Sequence, residues 1–184
     1  MAFNVPSGTI KNLTFGPGIV FITTSAGFTP AIDLGYVRGA TFSAQRNKLD
    51  VFQGSPRSYI TTFAQEENVT LQVTGLEWNL TNLQLLMGSG DLSIATLMQF
   101  GGSGSFLTLS VMYRHITPSG GTVEINLYRC QGQGELSQNF NDDLQEFNYQ
   151  FRALIAAGSD VWGGTTTITP SKGNLFSIRY IASP

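Results

Sequence analysis

Charged side chains are scarce in this sequence: they make up 12% of the 184 residues, about half of the usual quarter. Ten Lys and Arg against twelve Asp and Glu leave a formal net charge of -2, whereas a groove that grips nucleic acid is normally basic. Tight or sequence-specific nucleic-acid binding is therefore not expected. A surface with so few charges suits a protein whose exterior is largely covered by neighbouring molecules.

Cysteine and histidine each occur once, as Cys130 and His115. A single cysteine forbids a disulfide within the chain and fits synthesis in a reducing compartment. The two residues stand apart in the sequence without further ligands around them, which argues against a zinc site. Neither belongs to a recognisable nucleophile–base motif. We expect Cys130 to be a buried, inert thiol and His115 to be a surface or packing residue.

The acidic and glycine-rich segments contain no recognisable catalytic or ligand-binding motif. Glu66 and Glu67 stand next to each other where a predicted strand begins, and adjacent strand residues point to opposite faces. The acidic cluster at 142–146 lacks the ligand alternation of a calcium loop, and no Lys follows the glycines at 88–90 or 101–104 as in a phosphate loop. Facing carboxylates of the glycosidase type are neither supported nor excluded. We predict no catalytic residue, metal ligand or cofactor, and hence no enzyme.

Secretory and membrane-spanning patterns are also missing from the sequence. The first 11 residues do not show the basic and apolar order of a signal peptide. The longest apolar runs, such as residues 18–22, are far too short to span a bilayer. Membrane insertion by this chain is therefore not expected.

Alternating hydrophobicity is the dominant pattern of the chain. Residues 69–74 and 123–128 each alternate aliphatic with mostly polar side chains, which is typical of half-buried antiparallel strands. We predict a mainly β fold, a β-sandwich or partly open barrel of about nine antiparallel strands, as a single domain over 1–184 with an N-terminal arm at 1–17. The predicted strand segments are 19–24, 40–46, 48–53, 57–65, 68–74, 105–114, 122–130, 135–140, 146–155 and 175–181.

One short flanking α-helix is predicted over residues 81–87. Asn79 or Thr81 can cap it, and Gly88 ends it. About two turns are too short to be stable alone, so this helix must pack on a sheet. Its expected apolar face consists of Leu80, Leu83, Leu86 and Met87.

The segment 46–57 is a long, polar hairpin loop that also carries apolar residues. A monomer gains nothing from Val51 and Phe52 at an exposed hairpin tip, whereas a partner surface would use them as anchors, with the charges setting the register. The alternative is a hairpin that folds back on its own core. The candidate contact residues are Arg46, Lys48, Leu49, Asp50, Val51, Phe52, Gln53 and Arg57.

Three stretches together resemble a known family: IDLGYVRGATFSAQRNKLDVFQGSPRSYI, NVTLQVTGLEWNLTNLQLLMG and VEINLYRCQGQGELSQNFNDDLQEFNYQFRAL. The chain resembles the major tail tube proteins of long-tailed, non-contractile (siphovirus-type) bacteriophages. In this family, a Gly turn precedes a strand, and a long hairpin loop with charged residues follows. A strand of alternating hydrophobicity then leads through a Glu to a short Leu-rich helix. The corresponding features are Gly35, 48–57, 69–74, Glu77 and 80–87. The resemblance extends roughly from residue 19 to the end.

The resemblance implies that copies of the chain form hexameric rings, which stack head to tail into a hollow tube for DNA ejection. The inter-ring stacking loop would be 46–57. The implied partners are other copies of the chain, a tape-measure protein, tail-terminator and tail-tip proteins, and genomic DNA that passes without sequence-specific binding. The implied location is the virion tail, assembled in the host bacterial cytoplasm. Candidate bore-facing residues are Thr70, Gln72, Thr74, Glu124 and Asn126.

Other functions remain open from the sequence. The same architecture would serve as the tube subunit of a contractile tail or secretion system, or as a tail-terminator ring. A more distant alternative is a monomeric carbohydrate-binding β-sandwich, which would need several exposed aromatics on one concave face. Trp78 precedes the predicted helix and Trp162 lies in a glycine-rich loop, so neither is placed like a sugar platform.

Overall fold

The computed structural model describes residues 18–23, 32–76, 79–87, 91–94, 97–99, 106–117, 120–133, 146–156 and 173–182. Within these ranges the chain is mainly β, and every strand pairing is antiparallel. The elements are β1 (Ile19–Thr23), β2 (Ile32–Asp33), β3 (Val37–Gln53), β4 (Ser58–Gly75), α1 (Leu80–Met87), β5 (Asp91–Ile94), β6 (Leu97–Gln99), β7 (Leu109–Ile116), β8 (Thr122–Gly132), β9 (Phe147–Leu154) and β10 (Phe176–Ile181).

Eight strands form one bent sheet in the order β2-β1-β7-β8-β9-β4-β3, with β10 also paired to β8, while β5 and β6 pair with each other. Strand β8 changes partner along one edge: residues 122–127 pair with β10 and residues 129–132 with β9. The ring of Phe42 on β3 meets that of Phe176 on β10 edge-on, with centroids 5.0 Å apart. The sheet therefore curls back on itself, as a partly open sandwich does, and the predicted fold class is confirmed.

Strands β4 and β9 alternate between core and surface as their sequences predict. On β4 the buried side chains are Val69, Leu71 and Val73. On β9 they are the aromatic residues Phe147, Tyr149 and Phe151. Burying one such side chain stabilises the fold by about 1.5–3 kcal/mol relative to exposing it. The same cluster receives Val20, Ile22, Leu109, Val111, Leu127 and Cys130 from strands β1, β7 and β8.

The helix α1 begins one residue earlier than predicted. The Oδ1 atom of Asn79 accepts a hydrogen bond from the backbone N–H of Thr81 at 2.9 Å, so Asn79 is the capping residue and Thr81 is not. Leu83 and Leu85 are buried, and Leu85 was not part of the predicted apolar face. Gly88, the predicted end of the helix, lies outside the described residues.

Three of the predicted strand assignments differ from the structure. Segments 57–65 and 68–74 form the single strand β4, and segments 40–46 and 48–53 form the single strand β3. The expected break near Asn47 is a register shift opposite β4, because a bulge takes up an extra residue without ending the pairing. The predicted strand at 105–114 instead covers Leu109–Ile116. The N-terminal arm 1–17, the strand at 135–140 and both tryptophans lie outside the described residues.

Gly75 is a position where the core allows no side chain. A Cβ atom there would lie 2.6 Å from Cε2 of Tyr149, and Tyr149 is buried and cannot swing away. We expect Gly75→Ala to lower the free energy of unfolding by about 1–3 kcal/mol through overpacking. Gly39→Ala on the neighbouring strand is the matched control, since the Cβ atom that it adds would meet no other atom within 4 Å. Equal denaturant midpoints for the two variants would contradict the expectation.

Candidate assembly surfaces

Strands β3 and β4 extend beyond the sheet as a two-stranded ribbon, residues 44–69. Strand β9 pairs with β4 only at residues 70–75, so within the described chain the ten pairs from Ala44–Val69 to Gln53–Ser58 join only β3 and β4. Ten pairs correspond to about 34 Å of length. A turn at residues 54–57 closes the ribbon, and Gly54 occupies a backbone conformation with φ of 97° that favours glycine.

The ribbon exposes large apolar side chains on both of its sides. Leu49 lies opposite Phe63, and Phe52 lies opposite Tyr59. Because paired residues share a side and successive residues alternate, the two pairs lie on opposite sides. The rings of Phe52 and Tyr59 meet edge-on at 5.7 Å, yet the two side chains remain 50% and 58% exposed. A lone two-stranded hairpin is marginally stable in water, and exposed apolar patches mark interaction sites.

Polar contacts organise the ribbon along its length. At the tip, the hydroxyl of Thr62 donates to Oδ1 of Asp50 at 2.6 Å and also contacts the hydroxyl of Tyr59. At the base, Arg46 pairs with Glu67. These contacts set the register of the strands without covering the apolar side chains.

All eight predicted contact residues lie on the ribbon or in its turn. Among the described residues, Lys48 and Arg57 form no ion pair. Val51 is half-buried, and the others are exposed. The hairpin does not fold back on its own core, so that alternative is wrong. Sequence reasoning missed Tyr59, Ile60 and Phe63 because it assigned them to an ordinary strand of the sheet.

A second surface, the polar face, lies on the side of β3, β4 and β9 that faces away from the core. Thr41, Gln72 and Gln150 stand side by side across the three strands, and Thr74 donates a hydrogen bond to Oδ1 of Asn148 at 3.2 Å. The polar face consists of Thr41, Ser43, Thr70, Gln72, Thr74, Asn148, Gln150 and Arg152. Arg152 is the one charged residue among these eight.

The candidate residues of β8 lie on the same side of the sheet as the polar face. Gln131 is opposite Arg152 and therefore points to the polar face. Between Leu127 and Cys130, β8 has one residue more than the facing stretch of β7, and this irregularity reverses the alternation of sides. Asn126 and Glu124 therefore point to the same side as Gln131. Both are nevertheless buried, at 2% and 0% exposure. The expectation that they present their own side chains as an exposed wall is wrong, whereas Gln72 is exposed and Thr70 and Thr74 are half-buried.

Glu124 is buried because two arginines clamp it from the neighbouring strands. Nε of Arg114 on β7 donates to Oε1 at 2.9 Å, and Nε of Arg179 on β10 donates to Oε2 at 3.0 Å. A terminal nitrogen of each guanidinium contacts the same oxygens. Such two-point pairs are the stronger form of ion pair. We call Arg114, Glu124 and Arg179 the arginine clamp; it joins three strands.

The environments of Cys130 and His115 indicate a structural role for each side chain. Cys130 is fully buried, burial raises the pKa of its thiol, and its Sγ contacts the carbonyl oxygen of Leu109 at 3.4 Å. His115 is also buried, and no described residue pairs with its ring nitrogens. Both placements agree with the expectation of an inert thiol and a packing histidine. In the described ranges, no cluster of three or more His, Cys, Asp or Glu side chains could hold a metal ion.

No protein-family model matches this chain, and no curated protein matches it in sequence. In the part of the chain that the structure describes, no helix has the length and apolar character needed to cross a membrane.

Proposed function

We propose that this protein is a structural subunit that assembles with copies of itself into the tail tube of a long-tailed, non-contractile bacteriophage. Six copies form a ring, and the rings stack head to tail around a bore through which DNA passes. The ribbon is the observation that carries this proposal. About 34 Å of paired strand with apolar side chains on two sides gains stability only when another surface covers it.

The edges of the main sheet support lateral association. In the described chain, β2 pairs only with β1, β3 only with β4, and β10 only with β8, so each offers one unpaired edge. Free edges are templates for pairing with another chain, and closure into a barrel removes them. If the sheets of neighbouring copies joined around an axis, the unpaired backbone groups of these edge strands would form hydrogen bonds between copies. Such a closed arrangement of copies is a ring.

The polar face supports the role of a bore wall. It carries hydroxyl and amide side chains and a single charge, Arg152. Phosphate binding by proteins depends mainly on clustered Lys and Arg, so a face of this composition would let a polyanion pass without gripping it. In this proposal the tape-measure, tail-terminator and tail-tip proteins are the other partners, and the virion tail is the location.

Negative-stain electron microscopy of the purified protein, with light scattering on the same sample, tests the proposal. We expect hollow tubes or stacked rings at high protein concentration, and particles much larger than 19.9 kDa. Single rings that never stack would favour a tail-terminator ring instead. A monomer at every concentration and ionic strength would contradict self-assembly altogether.

A further inference from the structure

We propose that Glu66 neutralises Arg152, the one charged residue of the polar face, and so keeps the wall of the bore from holding the phosphates of passing DNA. This inference rests on the proposed function and gives Glu66 a role in DNA passage, separate from the contacts between rings. Glu66 lies at the base of the ribbon, beyond the last residue that β4 contributes to the polar face.

Glu66 points to the same side of the sheet as the polar face. Glu66 and Thr70 stand four residues apart on β4, and no register shift lies between them, so their side chains share one side. Arg152 is opposite Thr70 on β9 and shares that side too. Its guanidinium lies 3.9 Å from the carboxylate of Glu66. The two long side chains therefore lean toward each other over the roughly 13 Å of strand between Thr70 and Glu66.

Two amide side chains of β3 fix the direction of the Glu66 carboxylate. Nδ2 of Asn47, the residue opposite Glu66, donates to Oε2 of Glu66 at 3.4 Å. Nε2 of Gln45 in turn donates to Oδ1 of Asn47 at 3.0 Å. The other carboxylate oxygen, Oε1, is the one nearest Arg152. Each oxygen of Glu66 therefore has its own partner, and the amides hold Oε1 toward the arginine.

A second arginine beside the polar face is paired in the same way. Glu146 lies two residues before Asn148, at the end of the polar face away from the ribbon. It forms an ion pair with Arg38, which is near the start of β3. Both ends of the polar face thus carry an arginine matched by a glutamate. A wall that holds phosphates would leave such cations unpaired.

The pair of Arg152 and Glu66 matters for charge rather than for stability. The two side chains are 46% and 56% exposed, and exposed pairs add little to folding. Charges that line a cleft with low-dielectric walls act more strongly on a polyanion. An unpaired Arg152 in each of six copies would offer six phosphate contacts per ring, enough to change DNA affinity about a thousandfold between about 50 and 200 mM salt. Such a hold would oppose the passage of DNA.

Retention of DNA by assembled tubes tests this role. Glu66→Gln removes the negative charge and keeps a side chain of similar shape that can still bond to Asn47. Tubes are mixed with a short fluorescent duplex, treated with DNase I and sedimented, so that only duplex protected inside the bore is measured. We expect Glu66→Gln tubes to retain about tenfold more protected duplex than unchanged tubes at low salt, and to release it as the salt concentration rises.

Glu67→Gln is the matched control, because it removes the same charge from the neighbouring residue. Glu67 points to the opposite side of the ribbon and pairs with Arg46, away from the polar face. This variant should retain no more duplex than the unchanged protein. The double variant Glu66→Gln with Arg152→Gln should also return to the unchanged level, since it leaves no unpaired cation at that place.

The outcomes separate this role from the proposed function. Tubes of Glu66→Gln that retain no more duplex than unchanged tubes would overturn the role and leave the proposed function standing. Retention that survives in the double variant would also overturn it, because another cation, such as the half-buried Arg129 of β8, would then hold the duplex. If Glu66→Gln does not assemble alone, tubes formed together with the unchanged protein give the same comparison. Absence of tubes from the unchanged protein would contradict the proposed function, and this inference with it.

Discussion

Replacing Phe52 and Tyr59 together by serine is expected to abolish assembly and to leave the fold intact. Both side chains are half exposed; their rings contact each other, and the Tyr59 hydroxyl contacts that of Thr62, which is also on the ribbon. The core therefore loses no contact with them. Buried aromatic anchors each contribute about 2 kcal/mol or more to an interface, and a loss of about 4 kcal/mol weakens association on the order of a thousandfold. Sedimentation and electron microscopy measure the assembly, and circular dichroism melting measures the fold.

The matched control for this prediction is Tyr36→Ser. Tyr36 is 79% exposed but precedes β3 and lies off the ribbon, so it tests whether any exposed aromatic has the same effect. We expect this variant to assemble like the unchanged protein. Normal tubes from the Phe52 and Tyr59 double variant, or their loss in both variants, would contradict a specific role of the ribbon tip.

The choice of Tyr59 shows what the structure adds to the sequence. From the sequence, Val51 and Phe52 are the natural pair to mutate, because they are the apolar neighbours at the tip. In the structure Val51 is half-buried and Phe52 pairs with Tyr59 across the ribbon. Cross-strand partners depend on register, and here a register shift between Val51 and Phe52 decides it. Such a shift leaves no local signal in the sequence.

Alternation within a strand made much of the fold predictable. Val69, Leu71 and Val73 of β4 and the aromatic residues of β9 face the core as their period of two requires. Asn79 before a Leu-rich run marked the start of the helix. These signals are local, so they do not depend on how the strands pair. The joining of 57–65 and 68–74 into one strand was missed because Glu66 and Glu67 looked like a boundary, although they lie on an exposed ribbon where charges are tolerated.

The arginine clamp was missed for a different reason. Arg114, Glu124 and Arg179 come from three strands and meet only because Glu124 is directly opposite both arginines. Alternation alone placed Glu124 on a polar face and therefore in water. Long-range pairing buries it instead, which is possible because each carboxylate oxygen receives a charged donor.

Replacing Glu124 by alanine is expected to be among the most destabilising single changes in this protein. Removing one partner of a buried ion pair costs about 3–5 kcal/mol, since it leaves an uncompensated charge. The arginine side chains are 34% and 24% exposed and can partly rehydrate, so we expect about 2–3 kcal/mol. For a chain of this size that lowers the melting temperature by about 5–10 °C.

Glu66→Ala is the matched control, because Glu66 also lies close to an arginine, Arg152, but both side chains are exposed to solvent. Its carboxylate lies 3.9 Å from Arg152, and its side chain is 56% exposed. Exposed pairs of this kind contribute about 0–1 kcal/mol, so calorimetry should find Glu66→Ala close to the unchanged protein. Equal melting temperatures for the two variants would mean that the arginine clamp adds no stability, and that Glu124 reaches water more readily than its burial indicates. A large loss confined to Glu124→Ala would show that the arginine clamp holds β7, β8 and β10 together, and β10 offers a free edge of the sheet within the described chain.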